Sequence, residues 1–327
     1  MRLALITLVV CTYSATAADS QWKQRLQLGQ QLEHAGRFEE AQKVFLEELS
    51  AAEREEPESA RVGAILANLA NVASLQGRYL EANRLSERST AILERSLGPD
   101  DPATLNVLHI LADASMNLGR YAKAEELLLR VVAARERRAD SGAAEVAAAL
   151  SDLGLVYLGQ RKPEMAEPLV RRALAAVEKS SISNKTGNEI EMASTLNALA
   201  WVLSVSARYE EATSYAERSQ TLLEAVRAPV KNRIDTLTTL AALYAVTGRF
   251  DEACRHMQTA IHDAEDAYGP NHFRVALTLR VYAAILRRQK RKGEAKRAED
   301  RASRILAWSG ISLGNTIDVT ALLPAAK

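Results

Sequence analysis

The sequence predicts an all-α fold, a right-handed α-solenoid of seven helical hairpins, and three observations carry that prediction. Alanine recurs at Ala41, Ala82, Ala124, Ala166, Ala212, Ala253 and Ala295, at intervals of 41, 42, 42, 46, 41 and 42 residues. A fixed period of this size marks a chain built from one repeated supersecondary unit, each stacked on its neighbours. Five residues before each alanine stands an anchor: Gly36, Gly77, Gly119, Arg161, Ala207, Gly248 and Lys290. The composition, 47% hydrophobic but only 5% aromatic, suits alanine- and leucine-rich helices rather than strands.

The first helix of each unit lies upstream of the anchor. Eight residues before it are Leu28, Leu69, Leu111, Leu153, Leu199, Leu240 and Tyr282, each followed by a small residue: Gly29, Ala70, Ala112, Gly154, Ala200, Ala241 and Ala283. Eleven residues before it is leucine in every unit but the first. Apolar positions three and four apart share one helical stripe, which predicts a helix of about four turns. The anchor then ends it, because glycine takes the left-handed conformation of a helix C-terminus at low strain.

A cation follows every anchor (Arg37, Arg78, Arg120, Lys162, Arg208, Arg249, Arg291), and an aromatic follows it in five units (Phe38, Tyr79, Tyr121, Tyr209, Phe250). The second helix starts there, with an apolar face through Ala41, Val44 and Phe45 in the first unit and Ala124, Leu127, Leu128 and Val131 in the third. One small residue on each helix lets the two backbones approach closely; enlarging either overpacks the contact by about 1 to 3 kcal/mol. Breaker-rich stretches separate the units, including GPDDP at 98–102 and GPNHF at 269–273. Asp101 before Pro102 reads as an N-cap followed by proline at the first helical position.

This order of small, cation, aromatic and alanine positions resembles the tetratricopeptide repeat. The period near 42 residues, with the GPDDP and GPNHF loops, is similar to the long variant of kinesin light chains. The resemblance covers residues 21 to about 307. Units four (Arg161, Lys162, Pro163) and seven (Lys290, Lys292) depart from the pattern, which predicts less regular packing there.

The ends are different in kind. Residues 1–17 carry Arg2, an apolar run from Leu3 to Val10 and Ala15-Thr16-Ala17, the three regions of a signal peptide. The expectation is an exported protein, periplasmic or secreted, with the solenoid at 18–307 and an irregular tail at 308–327. Loss of Arg2 with the leader leaves 41 cations against 41 anions, a balance unlike the basic excess that general nucleic-acid binding requires. Cys254 is then the one remaining cysteine. Its equivalents in other units are Gln42, Asn83, Glu125, Glu167, Thr213 and Lys296, all polar, which predicts an unreactive surface thiol facing water, with pairing between molecules as the alternative. Asn184-Lys185-Thr186, in the enlarged loop of unit four, matches a glycosylation sequon.

No catalytic or cofactor motif stands out: HExxH, GxSxG, a phosphate-binding glycine loop and paired-cysteine spacing are all missing from the sequence. The expectation is therefore no enzyme, no cofactor and no metal site. Glu252 and His256 lie one helical turn apart but want a third ligand. The basic run Arg287, Arg288, Lys290, Arg291, Lys292, Lys296 and Arg297 reads as the polar cap of the last unit, with contact to an anionic or membrane surface as the alternative.

The resemblance implies that the first helices line a concave groove. The positions beside the packing stripe are Asn68, Asn71, Asn106, His109, Asp113, Asn117, Ser151, Asp152, Asn197 and Trp201. Asparagine both donates and accepts, so a row of asparagines can pair with an extended peptide backbone whatever its side chains. Asn68, Asn71, Asn106, His109, Asp113, Asn117, Asn197 and Trp201 are the expected partner-binding set, with Trp201 as anchor. The function this predicts is an interaction scaffold or adaptor for a protein or peptide segment. A structural assembly subunit, acting through its convex face, its tail or self-association, is the alternative.

Overall fold

The computed structural model describes residues 17–138, 142–183 and 188–309. The apolar leader, the sequon at Asn184 and the tail from residue 310 lie outside them. The described residues form fourteen α-helices and no strand, divided into two compact units at residues 139 and 140. The first unit holds three hairpins, α1 (Ala17–His34) with α2 (Phe38–Glu55), α3 (Ala60–Leu75) with α4 (Tyr79–Ser96), and α5 (Pro102–Asn117) with α6 (Tyr121–Arg137). The second holds four: α7 (Ala143–Gly159) with α8 (Pro163–Ser183), α9 (Glu189–Val205) with α10 (Tyr209–Ala225), α11 (Val230–Val246) with α12 (Phe250–Tyr268), and α13 (Phe273–Arg288) with α14 (Lys292–Ser309).

One junction is repeated seven times. The anchors all have positive φ, at 75° for Gly36, 77° for Gly77, 72° for Gly119 and 83° for Gly248, but also at 61° for Arg161, 58° for Ala207 and 62° for Lys290. The backbone N–H of the following cation reaches back five residues, from Arg37 to the Leu32 carbonyl and from Arg291 to that of Leu286. This 6→1 bond is the signature of a Schellman ending, and it closes all seven first helices. Units four and seven therefore turn the same corner as the rest, against the expectation of irregular packing. Pro163 helps: as the first residue of α8 it gives up an N–H that has no helical partner there anyway.

The periodic alanines are the contact points between paired helices, none of them more than 1% exposed. Their small partners cannot grow. A Cβ placed on Gly154 would stand 2.5 Å from Val170 Cγ2 and 3.3 Å from the Ala166 carbonyl, and one on Gly29 would stand 2.3 Å from the Phe45 ring. Within each unit the first helices of successive hairpins also pack together, α1 on α3 on α5 and α7 on α9 on α11 on α13, while the second helices stand further apart and are bridged by ion pairs such as Arg88 with Glu53 and Arg218 with Glu178. The first helices are thus the crowded layer. Asp101 caps α5, its carboxylate accepting from the Ala103 N–H at 2.8 Å with Pro102 at the first helical position.

Candidate partner-binding site

In the first unit Asn68, Asn71, Asn106 and His109 are buried, Asp113 and Asn117 are partly exposed, and all are hydrogen-bonded within the stack. Asn68, 1% exposed, donates to the Ala64 carbonyl at 2.8 Å and accepts from Gln30 Nε2 at 3.1 Å. Asn71 donates to Glu33 Oε1 at 2.6 Å, linking α3 to α1. Asn106 Oδ1 and His109 Nδ1 both accept from the buried guanidinium of Arg135, at 2.8 and 3.2 Å. Asp113 accepts from Ser74 at 2.9 Å and from Asn117 at 3.1 Å. These groups stitch one first helix to the next, or to α6; a buried amide with both ends satisfied adds rigidity to a stack.

The pairing of Asn71 has an electrostatic consequence. Glu33 is 5% exposed, and burial pushes its pKa up to about 8, the hydrogen bond from Asn71 pulling the other way. Loss of solvation is what disfavours the charged carboxylate.

In the second unit the arrangement differs. Ser151 is buried and donates to the Ala147 carbonyl at 2.8 Å, and Asp152 is buried beside it. Asn197 and Trp201 are partly exposed, one turn apart on α9, and Val205 one turn further is 48% exposed. Residues four apart share a helix face, so an amide, an indole and an apolar side chain form one stripe. The Asn197 Oδ1 atom is shielded from solvent and accepts no hydrogen bond among the described residues. Leaving a buried acceptor unpaired costs about 1 to 3 kcal/mol.

A second set of functional residues escaped the sequence reading, although its periodicity was visible. In five units the cation after the anchor pairs forward with a carboxylate three residues on, as in Arg37 with Glu40 (2.6 Å), Arg249 with Glu252 (2.5 Å) and Arg291 with Glu294 (2.7 Å). It also reaches back to the preceding unit, Arg78 to Gln42 at 3.0 Å, Arg120 to Asn83 at 3.4 Å and Arg208 to Glu167 at 2.7 Å. Burial raises the Glu167 pKa, but hydrogen bonds from Arg171 and Arg208 outweigh it and hold the carboxyl below its usual range. The polar residues after three of the periodic alanines, Gln42, Asn83 and Glu167, are therefore acceptors for the next unit's cation.

That ladder corrects the expectation for Cys254. The thiol is buried, not facing water, because its position lies against the next hairpin: Sγ donates to Gln289 Oε1 at 3.4 Å and lies 3.8 Å from Arg291 Nη1. Burial raises the thiol's pKa, with Arg291 acting against it. A covered, protonated thiol is a poor partner for a disulfide between molecules. Among the described residues no group of three or more His, Cys, Asp or Glu gathers to hold a metal, and His256 Nδ1 is bonded to the Glu252 carbonyl at 2.9 Å. No helix is long and apolar enough to cross a membrane among the described residues. The basic run is partly neutralised by Arg287 with Glu299 and Arg291 with Glu294.

Fourteen helices in seven hairpins, joined by a left-handed anchor and close-packed alanines, define an all-α repeat protein. The tetratricopeptide repeat model matches residues 21–95, 61–115, 103–179 and 232–307, more than half of the chain, and the protein belongs to that family. A curated relative, the mitochondrial tetratricopeptide repeat protein 19 homolog of Drosophila melanogaster, is 33% identical over 98 residues, which are 30% of this chain and 26% of that protein. The chain thus matches about a quarter of the length of this relative. Among solved structures, a Rap protein complexed with competence and sporulation factor is similar with a TM-score of 0.67 and 14% identity, covering 89% of this chain and 76% of that one. The nearly identical TPR-like repeats of a Podosopora anserina kinesin light chain align with a TM-score of 0.51 and 21% identity, over 65% of this chain and 99% of theirs. At these identities the likeness is one of fold.

Proposed function

We propose that this protein, a tetratricopeptide repeat scaffold for protein–protein interaction, binds an extended protein or peptide segment on the first-helix face of its second unit, at Asn197 and Trp201. The observation that carries the reading is the unpaired Asn197 oxygen beside a partly exposed tryptophan and the exposed Val205. A peptide N–H brought to this face satisfies the oxygen, and the indole supplies apolar contact at small entropic cost. The Rap protein's structure with a bound factor is consistent with peptide capture by such a fold. In this reading the first unit contributes rigidity, since Asn68, Asn71 and Asn106 already spend their hydrogen bonds internally.

The leader-like residues 1–17 support an exported, periplasmic or secreted setting for this binding. The fold is typically non-catalytic, in keeping with a holding role. Affinity capture from the exported fraction tests the assignment: an Asn197→Ala, Trp201→Ala double variant should recover less than a tenth of the partner that the parent protein recovers. Equal recovery by both overturns it.

The assembly reading has one observation of its own. Leu46 (48% exposed), Leu80 (61%), Leu129 (47%) and Met165 (43%) all lie on second helices. Mass measurement in solution before and after Leu80→Glu decides that case; a monomer in both forms removes it.

A further inference from the structure

The second unit carries a pocket that the groove reading leaves unused. It lies between second helices α10 and α12, floored by α11, with a volume of about 560 Å³. That is within the range of about 300 to 1,000 Å³ usual for small-ligand sites. Leu223 and Leu237, 1% and 8% exposed, give it an apolar floor.

The charges at its rim are unevenly matched. Arg233 is paired with Asp263 at 2.5 Å, and Glu224 accepts from Gln220 at 2.8 Å. Arg227, in the turn between α10 and α11, and Arg255, on α12, line the same pocket, yet neither guanidinium makes a hydrogen bond or ion pair among the described residues. Two guanidiniums whose donors are unbonded, with Glu252 near Arg255 but not paired with it, stand beside an apolar floor and suit a ligand with a carboxylate at one end and an aliphatic body. Arginine's planar fork of donors matches the two oxygens of a carboxylate, and a partly enclosed site strengthens that pairing relative to open water.

Arg227 has φ 47°, a left-handed conformation shared with Arg161, Ala207 and Lys290, whereas the turns after α4 and α12 use glycine, Gly98 at 98° and Gly269 at 84°. Glycine carries less strain in that conformation.

We propose that this pocket is a second ligand site, taking an aliphatic carboxylate such as the C-terminal residue of a peptide, with Arg227 and Arg255 clasping the carboxylate and Leu223 and Leu237 receiving the side chain. The probe is N-acetyl-L-leucine, titrated calorimetrically into the full chain against its neutral analogue N-acetyl-L-leucinamide. The acid should bind saturably and the amide at least tenfold more weakly. Arg255→Gln should weaken the acid by at least tenfold. Arg227→Gly should do the same while raising the thermal midpoint, because it removes the guanidinium and the backbone strain together; a gain in stability with a loss of affinity separates binding from folding. Equal affinity for acid and amide, unchanged affinity in both variants, or no saturable binding of the acid overturns the proposal. Asn197 and Trp201 lie on α9 and do not line the pocket, so their double variant should bind the probe as the parent does.

Discussion

The two units are built on the same repeat but spend their polar residues differently. In the first, amides on successive first helices bond to one another: Asn71 to Glu33, Asn68 to Gln30, Asn106 to Arg135. In the second, the equivalent layer leaves the Asn197 oxygen without a donor beside Trp201, and a pocket on the opposite layer leaves Arg227 and Arg255 without acceptors. A repeat fold can therefore divide labour without changing its architecture. Where amides meet across helices they hold the stack; where they meet nothing they are available to a partner.

The sharpest way to break this comparison is by pH. With a folded pKa of about 8 against an unfolded value near 4.5, Glu33 keeps a proton on folding that the unfolded chain has released. The unfolded state binds fewer protons between those values, so the stabilisation from Glu33 is fully present below pH 4.5 and is lost as pH rises through 8, by up to about 5 kcal/mol. Across that window the parent protein should lose stability in denaturant melts relative to Glu33→Gln, a comparison that cancels the opposing contribution of His272, whose pKa burial lowers to about 4. Parallel profiles for parent and variant would mean that Glu33 is solvated and that the first unit is less closed than described.

Next in size is packing. Gly29→Val places a branched side chain against the Phe45 ring, and the expected loss is about 3 kcal/mol, read from the denaturation midpoint. Gly154→Val should cost a similar amount through Val170, testing whether both units use the same helix-to-helix approach.

The amides themselves give the most direct contrast. Asn71→Ala removes the bond to a buried Glu33 and should cost about 2 kcal/mol, whereas Asn197→Ala removes an atom that has no partner and should leave stability unchanged or slightly higher. Equal losses at both positions would erase the distinction between the units. The smallest expected effect is at the anchors: Ala207→Gly should raise stability by about 0.5 to 1 kcal/mol, because a left-handed alanine carries a steric strain that glycine avoids. Gly36→Ala, by the same argument, should lower it.

Much of the fold was legible in the chain because packing is periodic. Seven buried alanines and seven anchors report the same local contact seven times, so a departure such as Pro163 could be absorbed by its neighbours. The candidate site was legible only as a set of positions. Asn68 and Asn197 occur in similar leucine- and alanine-rich contexts, and nothing local separates a bonded amide from an unbonded one. Gln30, 38 residues before Asn68, makes the difference for one of them. Cys254 was misread for the same reason: its polar equivalents suggested water, while the actual partner of that position is the cation of the following unit.

What the sequence by itself determined is the hairpin, since glycine strain, helical stripes and small-residue contacts act over a few residues and need no knowledge of the neighbours. What only the tertiary structure decided is the allocation of polar groups: which amides are consumed between helices, which carboxylate is buried deeply enough to keep its proton, and which arginines stand without a partner. Those depend on distances between residues some forty positions apart, where desolvation and hydrogen bonding are set by the register of one repeat against the next.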